Sequence, residues 1–391
     1  MTPKKATQQL TKQHNRDLVL RTIIENQQIS RADIARATKL TRATVSEVVS
    51  GLIAEGLVEE VGLDSSGSGK PSILLSLVPD SRYLVGLNLG QNKFIGAIVN
   101  LRGEIKETVE VPIVGSDGEK ALQFVYEILN QLLAKGWEPI IGIGIGTPGL
   151  VNTREGKVVD AVNLDWEDLP LAALLQERYG LPVSVLNDSQ ATAIGEFVYG
   201  EHHSEGNLIV INVKHGIGAG ILINGQLFQG DDGSAGEIGH VRVCGNNLPC
   251  RCGQVGCLET LASAQAVVSK FQELSGSTQP ISLEEVERKF AVGDVLARQI
   301  VLDAGKTLGE SMGFLIGTLN IREIILTGDM ARFGEPWLNA VRQAMLQSAL
   351  GRLTQEAQLE IGKLDYRACI LGAAAHFLMD GYSLLFRQPE G

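Results

Sequence analysis

The fold class this sequence predicts is a winged helix-turn-helix head in front of a two-lobed α/β body. Three observations carry that expectation. First, positive charge is concentrated at one end. Residues 1–50 hold nine Lys/Arg against four Asp/Glu, while the rest of the 391-residue chain holds 25 against 41. Second, helical spacing of apolar residues gives way before residue 78 to two strands around a Gly/Ser loop. Third, the pattern changes at Tyr83 to strand, glycine turn, strand, and the same design returns from Asn207.

The bulk numbers bound the class. A chain 44% hydrophobic and 20% charged suits a soluble globular protein of two or three domains. No apolar run reaches the length of a membrane span, so no membrane partner is expected. The opening "MTPKKATQQLTKQHNRD" lacks the apolar stretch of a signal peptide, which makes the expected location cytoplasmic. Five cysteines, with three close together, argue against a secreted disulfide scaffold. A basic head on a body of net charge −16 suggests that only the head meets a polyanion. Charge alone fits a solvated helical surface equally well.

The head is expected over residues 1–78. Leu18, Val19, Leu20, Ile23 and Ile24 mark a first helix over 16–26. Ser30 can cap a second helix, with Asp33 completing a capping-box-like start. "KL" is a short turn. Thr41 or Thr44 starts the next helix, with Val45, Val48, Val49, Leu52 and Ile53 inward, and Gly56 ends it. Two strands then flank a Gly/Ser loop with Lys70 at its tip. Helix, turn, helix and wing coincide with positive charge, which favours operator DNA over a plain three-helix subdomain. The candidate DNA contacts are Ser30, Arg31, Thr41, Arg42, Thr44, Ser46 and Lys70.

The body is expected over 82–391. "YLVGLNLGQNKFIGAIVNLRGEI" reads as three strands, "EKALQFVYEILNQLLAKG" as an amphipathic helix, and "IIGIGIGTPGLV" as a buried strand entering a glycine-rich loop. "LPVSVLNDSQATAIGEF" is strand, Asn187-Asp188, helix. "NLIVINVKHGIGAGILINGQLFQG" repeats the opening design, so two lobes with a cleft between them are expected. The helices after residue 260 and the strand "EIILTG" complete the second lobe. "CILGAAAHFLM" is a helix, expected to pack back on the first lobe.

"CRCGQVGCLET" places Cys250, Cys252 and Cys257 within eight positions, with Gly253 and Gly256 between them. The glycines let the backbone fold tightly enough for three thiolates to converge on one ion. A disulfide between residues so close would be strained, and a redox pair usually reads C-x-x-C. Spacing and ligand type therefore favour zinc. The nearest fourth ligand is His240. Cys244 is a spare loop residue, and Cys369 lies in an apolar run as a small core hydrophobe.

"CRCGQVGCLE", "EIGH", "GIGTPG", "LND" and the doubled glycine-turn strands together resemble the ROK family. This family comprises sugar kinases and sugar-responsive repressors of actin/hexokinase-like fold. The resemblance covers nearly the whole chain, and the winged head is similar to the N-acetylglucosamine and xylose repressor branch. "NLDWEDLPL" and "GCLETLAS" lean toward the xylose type. It implies a structural zinc on His240, Cys250, Cys252 and Cys257. It implies a sugar site on Asn187, Asp188, Glu237, His240 and Glu259, with the backbone at Gly149 close to the ring. Carboxylates and amides suit a polyol because each meets several hydroxyls. Asp188 stands at the kinases' general-base position. The turn that reads Asp-x-Gly-(Gly)-Thr-Lys in the kinases is Asn88-Leu89-Gly90-Gln91-Asn92-Lys93 here, and Lys214-His215-Gly216 stands where they favour Gly-Thr-Gly. Phosphate cradling is therefore expected to be lost, leaving no catalytic residue.

The expected function is a sugar-released repressor of carbohydrate-utilisation genes, binding a palindromic operator as a homodimer or homotetramer. An ATP-dependent sugar kinase carrying a DNA-binding head is the alternative. A constitutive DNA-binding protein with a vestigial sugar site is a third reading.

Overall fold

A computed structural model describes residues 8–64, 71–113, 118–202 and 206–379. Helix α1 (Gln8–Glu25) begins earlier than its apolar spacing predicts and buries Val19, Leu20 and Ile23. Strand β1 (Ile29–Ser30) leads into α2 (Arg31–Thr38). The Ser30 hydroxyl accepts from the Asp33 amide at 3.2 Å and donates to the Asp33 carboxylate at 2.5 Å. Lys39, left-handed at φ 59°, stops α2. Thr41 caps α3 (Arg42–Ala54) by accepting from the Thr44 amide at 3.1 Å. Val45, Val49 and Leu52 are buried, whereas Val48 and Ile53 are half-buried. Strands β2 (Val58–Asp64) and β3 (Ser72–Leu77) pair antiparallel, and β1 adds to β3, which makes the three-stranded wing. Lys70, expected at the wing tip, lies outside the described residues.

The first lobe is built on β4 (Tyr83–Leu89), β5 (Lys93–Asn100), β6 (Ile105–Pro112), α4 (Gly118–Leu133) and β7 (Ile140–Thr147). A small sheet of β8 (Leu150–Asn152), β9 (Lys157–Ala161) and β10 (Trp166–Leu169) follows, unforeseen because its strands are too short to show a period. Then come α5 (Leu171–Tyr179), β11 (Val183–Asn187) and α6 (Asp188–Tyr199). The second lobe holds β12 (Leu208–Val213), β13 (Ile217–Ile223) and β14 (Gln226–Leu227). Helices α7 (Glu259–Ala262), α8 (Ala264–Ser275), α9 (Leu283–Ala291) and α10 (Val295–Leu319) follow. Strand β15 (Glu323–Thr327), α11 (Gly334–Ser348), α12 (Gly351–Gln355) and β16 (Gln358–Ile361) complete it, and α13 (Arg367–Met379) ends the described chain.

The two main sheets run β11-β7-β4-β5-β6 and β14-β13-β12-β15-β16. Allowing for direction, both list their strands in the order third, second, first, fourth, fifth. In each, the first strand makes an antiparallel hairpin on one side and a parallel pair on the other. The doubled sequence pattern is thus a doubled topology.

Helix α13 packs on β7 and β4 of the first lobe. The glycines of "IIGIGIGT" make that possible: a Cβ on Gly144 would overlap the Ala373 carbonyl oxygen, while Ile143 and Ile145 fill the lobe's core. At the far end of α6, buried Glu196 accepts from the Lys363 and Leu364 amides at 3.2 and 3.1 Å, and His202 lies 2.7 Å from it. This pins α6 to the segment that leaves β16.

Head and body meet around residues 79–81. The Leu101 amide donates to Pro79 O at 3.1 Å, and Arg102 donates to Ser76 Oγ at 3.1 Å. Lys106 bridges Asp80 at 2.9 Å and Glu104 at 3.0 Å, while Asn100 donates to both carboxylates. One apolar cluster joins Val19, Leu20, Val49 and Leu77 of the head to Leu84, Leu101, Ile370 and Phe377 of the body. Among the described residues, no helix is long and apolar enough to cross a membrane.

Candidate functional site

The site forms where strand ends of both lobes face one another. Strand β11 ends at Asn187, whose side chain does two jobs. Its Oδ1 accepts from the Ser189 amide at 2.8 Å, which caps α6, and its Nδ2 donates to Gly149 O at 2.9 Å. Gly149 sits at φ +91°, and a Cβ there would overlap the Asp160 carbonyl oxygen. Asp188 then opens α6 with its carboxylate half-buried.

Glu237, His240 and Glu259 come from the second lobe. A 3-10 turn, Ile238–His240, places His240 Nε2 4.0 Å from Glu237 Oε2. His240 Nδ1 lies 3.8 Å from Glu259 Oε1, and Glu259 is buried at the start of α7. The Glu237 carboxyl is pushed up to about 7, first by burial and then by the nearby Asp188 and Glu259 charges. Asp188 is thus close enough to be felt at Glu237, and the expected sugar-site residues share one locality.

The sulfur cluster lies against the same histidine. The four ligand atoms of His240, Cys250, Cys252 and Cys257 are all within 4.8 Å of one another. Cys250 Sγ is 3.7 Å from His240 Nδ1, and Cys252 Sγ is 3.7 Å from Cys257 Sγ. Ligand atoms on a tetrahedral zinc, with Zn–S about 2.3 Å and Zn–N about 2.0–2.1 Å, stand roughly 3.6–3.8 Å apart. The donor set and its separations therefore fit a metal. Cys250 also donates to Glu259 Oε1 at 3.0 Å, which links the cluster to the carboxylates. Two isolated bridges, Arg242 with Cys257 and Pro249 with Val255, give this loop its shape. Cys244 is exposed outside the cluster, and Cys369 is buried.

Two basic groups join the site: Arg251, to which the sequence assigns no role, and Lys214, expected only as an obstruction to phosphate. Arg251, inside the cysteine motif, donates to Asn163 Oδ1 at 2.7 Å and passes 3.8 Å from Glu259 Oε1. Lys214 Nζ lies 3.5 Å from Asp188 Oδ2. Burial is the largest single influence and opposes the Lys214 charge, but Asp188, Cys369 and Asp329 together outweigh it and hold the ammonium's pKa above its ordinary value. The two glycine turns approach each other, with Gln91 Nε2 3.5 Å from His215 Nε2.

On the head, Arg42 and Ser46 are exposed along the start of α3, beside Thr41 and Thr44, whose hydroxyls are 2.9 Å apart. Arg31 pairs with Glu60 at 2.9 Å. Ser30 requires a correction as a DNA contact. It is 2% exposed, and its hydroxyl is committed to Asp33, so it is a cap.

The sequence model of the ROK family matches residues 84–379, and that of the MarR family matches residues 18–65. A xylose repressor of Caldicellulosiruptor bescii is 33% identical over 387 residues, covering 95% of this chain and 97% of its own. A glucokinase of Halalkalibacterium halodurans is 31% identical, covering 74% of this chain and 93% of its own. Among solved structures, a ROK family transcriptional regulator, a homologue of the E. coli MLC protein, superposes with a TM-score of 0.84 at 28% identity. That match covers 96% of this chain and 98% of the other.

Proposed function

From the premise that the chain belongs to the ROK family, we propose that it is a sugar-responsive, DNA-binding transcriptional repressor. The observation that carries the reading is its span. The relative named a xylose repressor is matched through nearly the full length of both chains, whereas the glucokinase match leaves about a quarter of this chain uncovered.

Asn187, Asp188, Glu237, His240 and Glu259 hold the sugar's hydroxyls, and Gly149 lets the backbone come near the ring. Xylose is the first candidate, on the name of that relative. Arg31, Thr41, Arg42, Thr44 and Ser46 face operator DNA, where short hydroxyls and arginines meet phosphates and base edges. A dimer on a palindromic operator places two heads roughly one or two helical turns apart. Zinc is the metal that best suits His240 with three thiolates, and when bound it fixes the loop from which Glu237, His240 and Glu259 project. The protein lies in the cytoplasm beside the genome it reads.

Against a kinase stand Asn88 where an acid is needed to manage magnesium, and Lys214 paired with the carboxylate that would act as base. Sugar in the cleft shifts the lobes toward an arrangement that misplaces the heads.

The test is a fluorescence-anisotropy titration of operator DNA with and without D-xylose, alongside an ADP-release assay on the same sample. Operator affinity should fall at least tenfold with sugar, and no ADP should appear. An operator affinity indifferent to every sugar in a pentose and hexose panel defeats the reading. Turnover near one per second restores the kinase.

A further inference from the structure

We propose that Lys214 is a positioning residue of the sugar cleft. Its ammonium, on the turn after β12, and the Asp188 carboxylate, at the start of α6, catch one sugar hydroxyl between them. The proposal rests on the sugar reading above and adds to it a group from the second lobe.

A count of donors supports it. A sugar hydroxyl both gives and takes a hydrogen bond. The cleft is rich in carboxyl groups, with Glu237 feeling the charges of both Asp188 and Glu259. Its donors are mostly committed. Asn187 Nδ2 gives to Gly149 O, Arg251 turns Nη1 to Asn163 and its Nε toward Glu259, and His240 Nδ1 faces Cys250. Lys214 differs: three donors stand on one ammonium, and its contact with Asp188 is 3.5 Å long. A fully formed ammonium–carboxylate bond is about 2.7–2.9 Å. A hydroxyl oxygen can therefore rest within bonding distance of both groups, taking from Lys214 and giving to Asp188.

The backbone around Lys214 is held for this purpose. Its amide donates to Gly216 O at 2.9 Å, closing the turn after β12, and its carbonyl accepts from the Ala264 amide at 2.8 Å. Ala264 opens α8, directly beyond the helix that carries Glu259. Lys214 thus moves with the segment that the metal cluster supports. Asp188 opens α6, which leaves the first-lobe sheet and packs on β12 and β13 of the second.

The experiment is isothermal titration of D-xylose, with D-glucose and N-acetylglucosamine alongside, into the metal-loaded full-length protein. Wild type, Lys214→Met, Lys214→Arg, Asp188→Asn and the Met/Asn double variant are compared. Lys214→Gln replaces Lys214→Met if the latter does not fold. Lys214→Met should weaken the sugar that binds wild type at least tenfold, and Lys214→Arg should stay within about threefold. The double variant should be no worse than Asp188→Asn alone, and each variant should keep the wild-type melting temperature in the absence of sugar, which the loss of a merely structural lysine–carboxylate pair would lower. Lys214→Met within twofold of wild type, or fully additive losses, overturns the proposal and leaves the sugar reading standing. Wild type that binds no sugar overturns both.

Discussion

Gly149 shows what a single residue contributes at this site. Its φ of +91° is unfavourable for any side chain, and the space a Cβ needs is taken by the Asp160 carbonyl. Its own carbonyl receives the Asn187 amide, so the position shapes the cleft twice. Gly149→Ala should lower stability by about 3 kcal/mol, from backbone strain plus overlap, measured by urea unfolding. A loss below about 1 kcal/mol would mean that the loop relaxes freely. The glycine was legible in the sequence because Gly-Thr-Pro-Gly directly after a buried strand marks a sharp turn at the strand's end. The cap at Ser30 was legible too, but the same residue was misplaced on the DNA face. A capping hydroxyl and a DNA-facing hydroxyl look alike until burial separates them. Lys214 was visible only as an obstruction, because its partner Asp188 is 26 positions away.

At the scale of elements, the segment from Glu237 to Ser263 is held by its side chains more than by secondary structure. Among the described residues it contains one 3-10 turn, two isolated bridges and the single turn of α7. Asn246 adds bonds to Cys257 O at 3.1 Å and Thr260 Oγ1 at 2.8 Å. With so little regular structure, a metal on His240 and the three cysteines would be the loop's main brace. Chelation, or Cys252→Ser, should lower the melting temperature by roughly 5–10 °C and abolish the sugar-induced shift, read by thermal unfolding with and without D-xylose. Unchanged melting after verified metal removal would show that the side-chain bonds suffice. Cysteine spacing made this element readable, since few chemistries besides metal binding use three thiols in eight positions. The sheet of β8, β9 and β10 was hidden because strands of three to five residues carry too little period. Helix α1 was read short because the polar residues of its first two turns show no apolar face.

For the whole molecule, the two-lobed plan was readable because it is written twice. What one copy left ambiguous, the other repeated, down to the strand order of both sheets. The junction of head and body was less visible, since it rests on charges brought together by folding. Asn100 and then Lys106 hold the Asp80 carboxyl below its ordinary 3.8, and Lys106 and then Asn100 hold Glu104 below 4.5. Both acids have depressed values in the folded state. Their contribution is therefore present above the ordinary values and is lost as pH falls through the folded ones. Both are largely exposed, so the effect is modest and weakened by salt. Lys106→Met should be less stable than wild type at neutral pH, and the gap should close as pH drops below 3.8. Urea midpoints between about pH 7 and pH 3 measure it, and a gap that stays constant would remove these charges from the junction.

The apolar cluster shared by head and body bears on how such proteins can be recombined. Val19, Leu20, Val49 and Leu77 sit in one continuous mass with Leu84, Leu101, Ile370 and Phe377. A head grafted from a relative at residue 80 would bring half of a fitted surface. The other half lies on β4, β5 and the turn after it, and on a helix some 290 positions further along the chain. A hybrid that exchanges specificity while keeping its response to ligand would need the head and these body elements transplanted together.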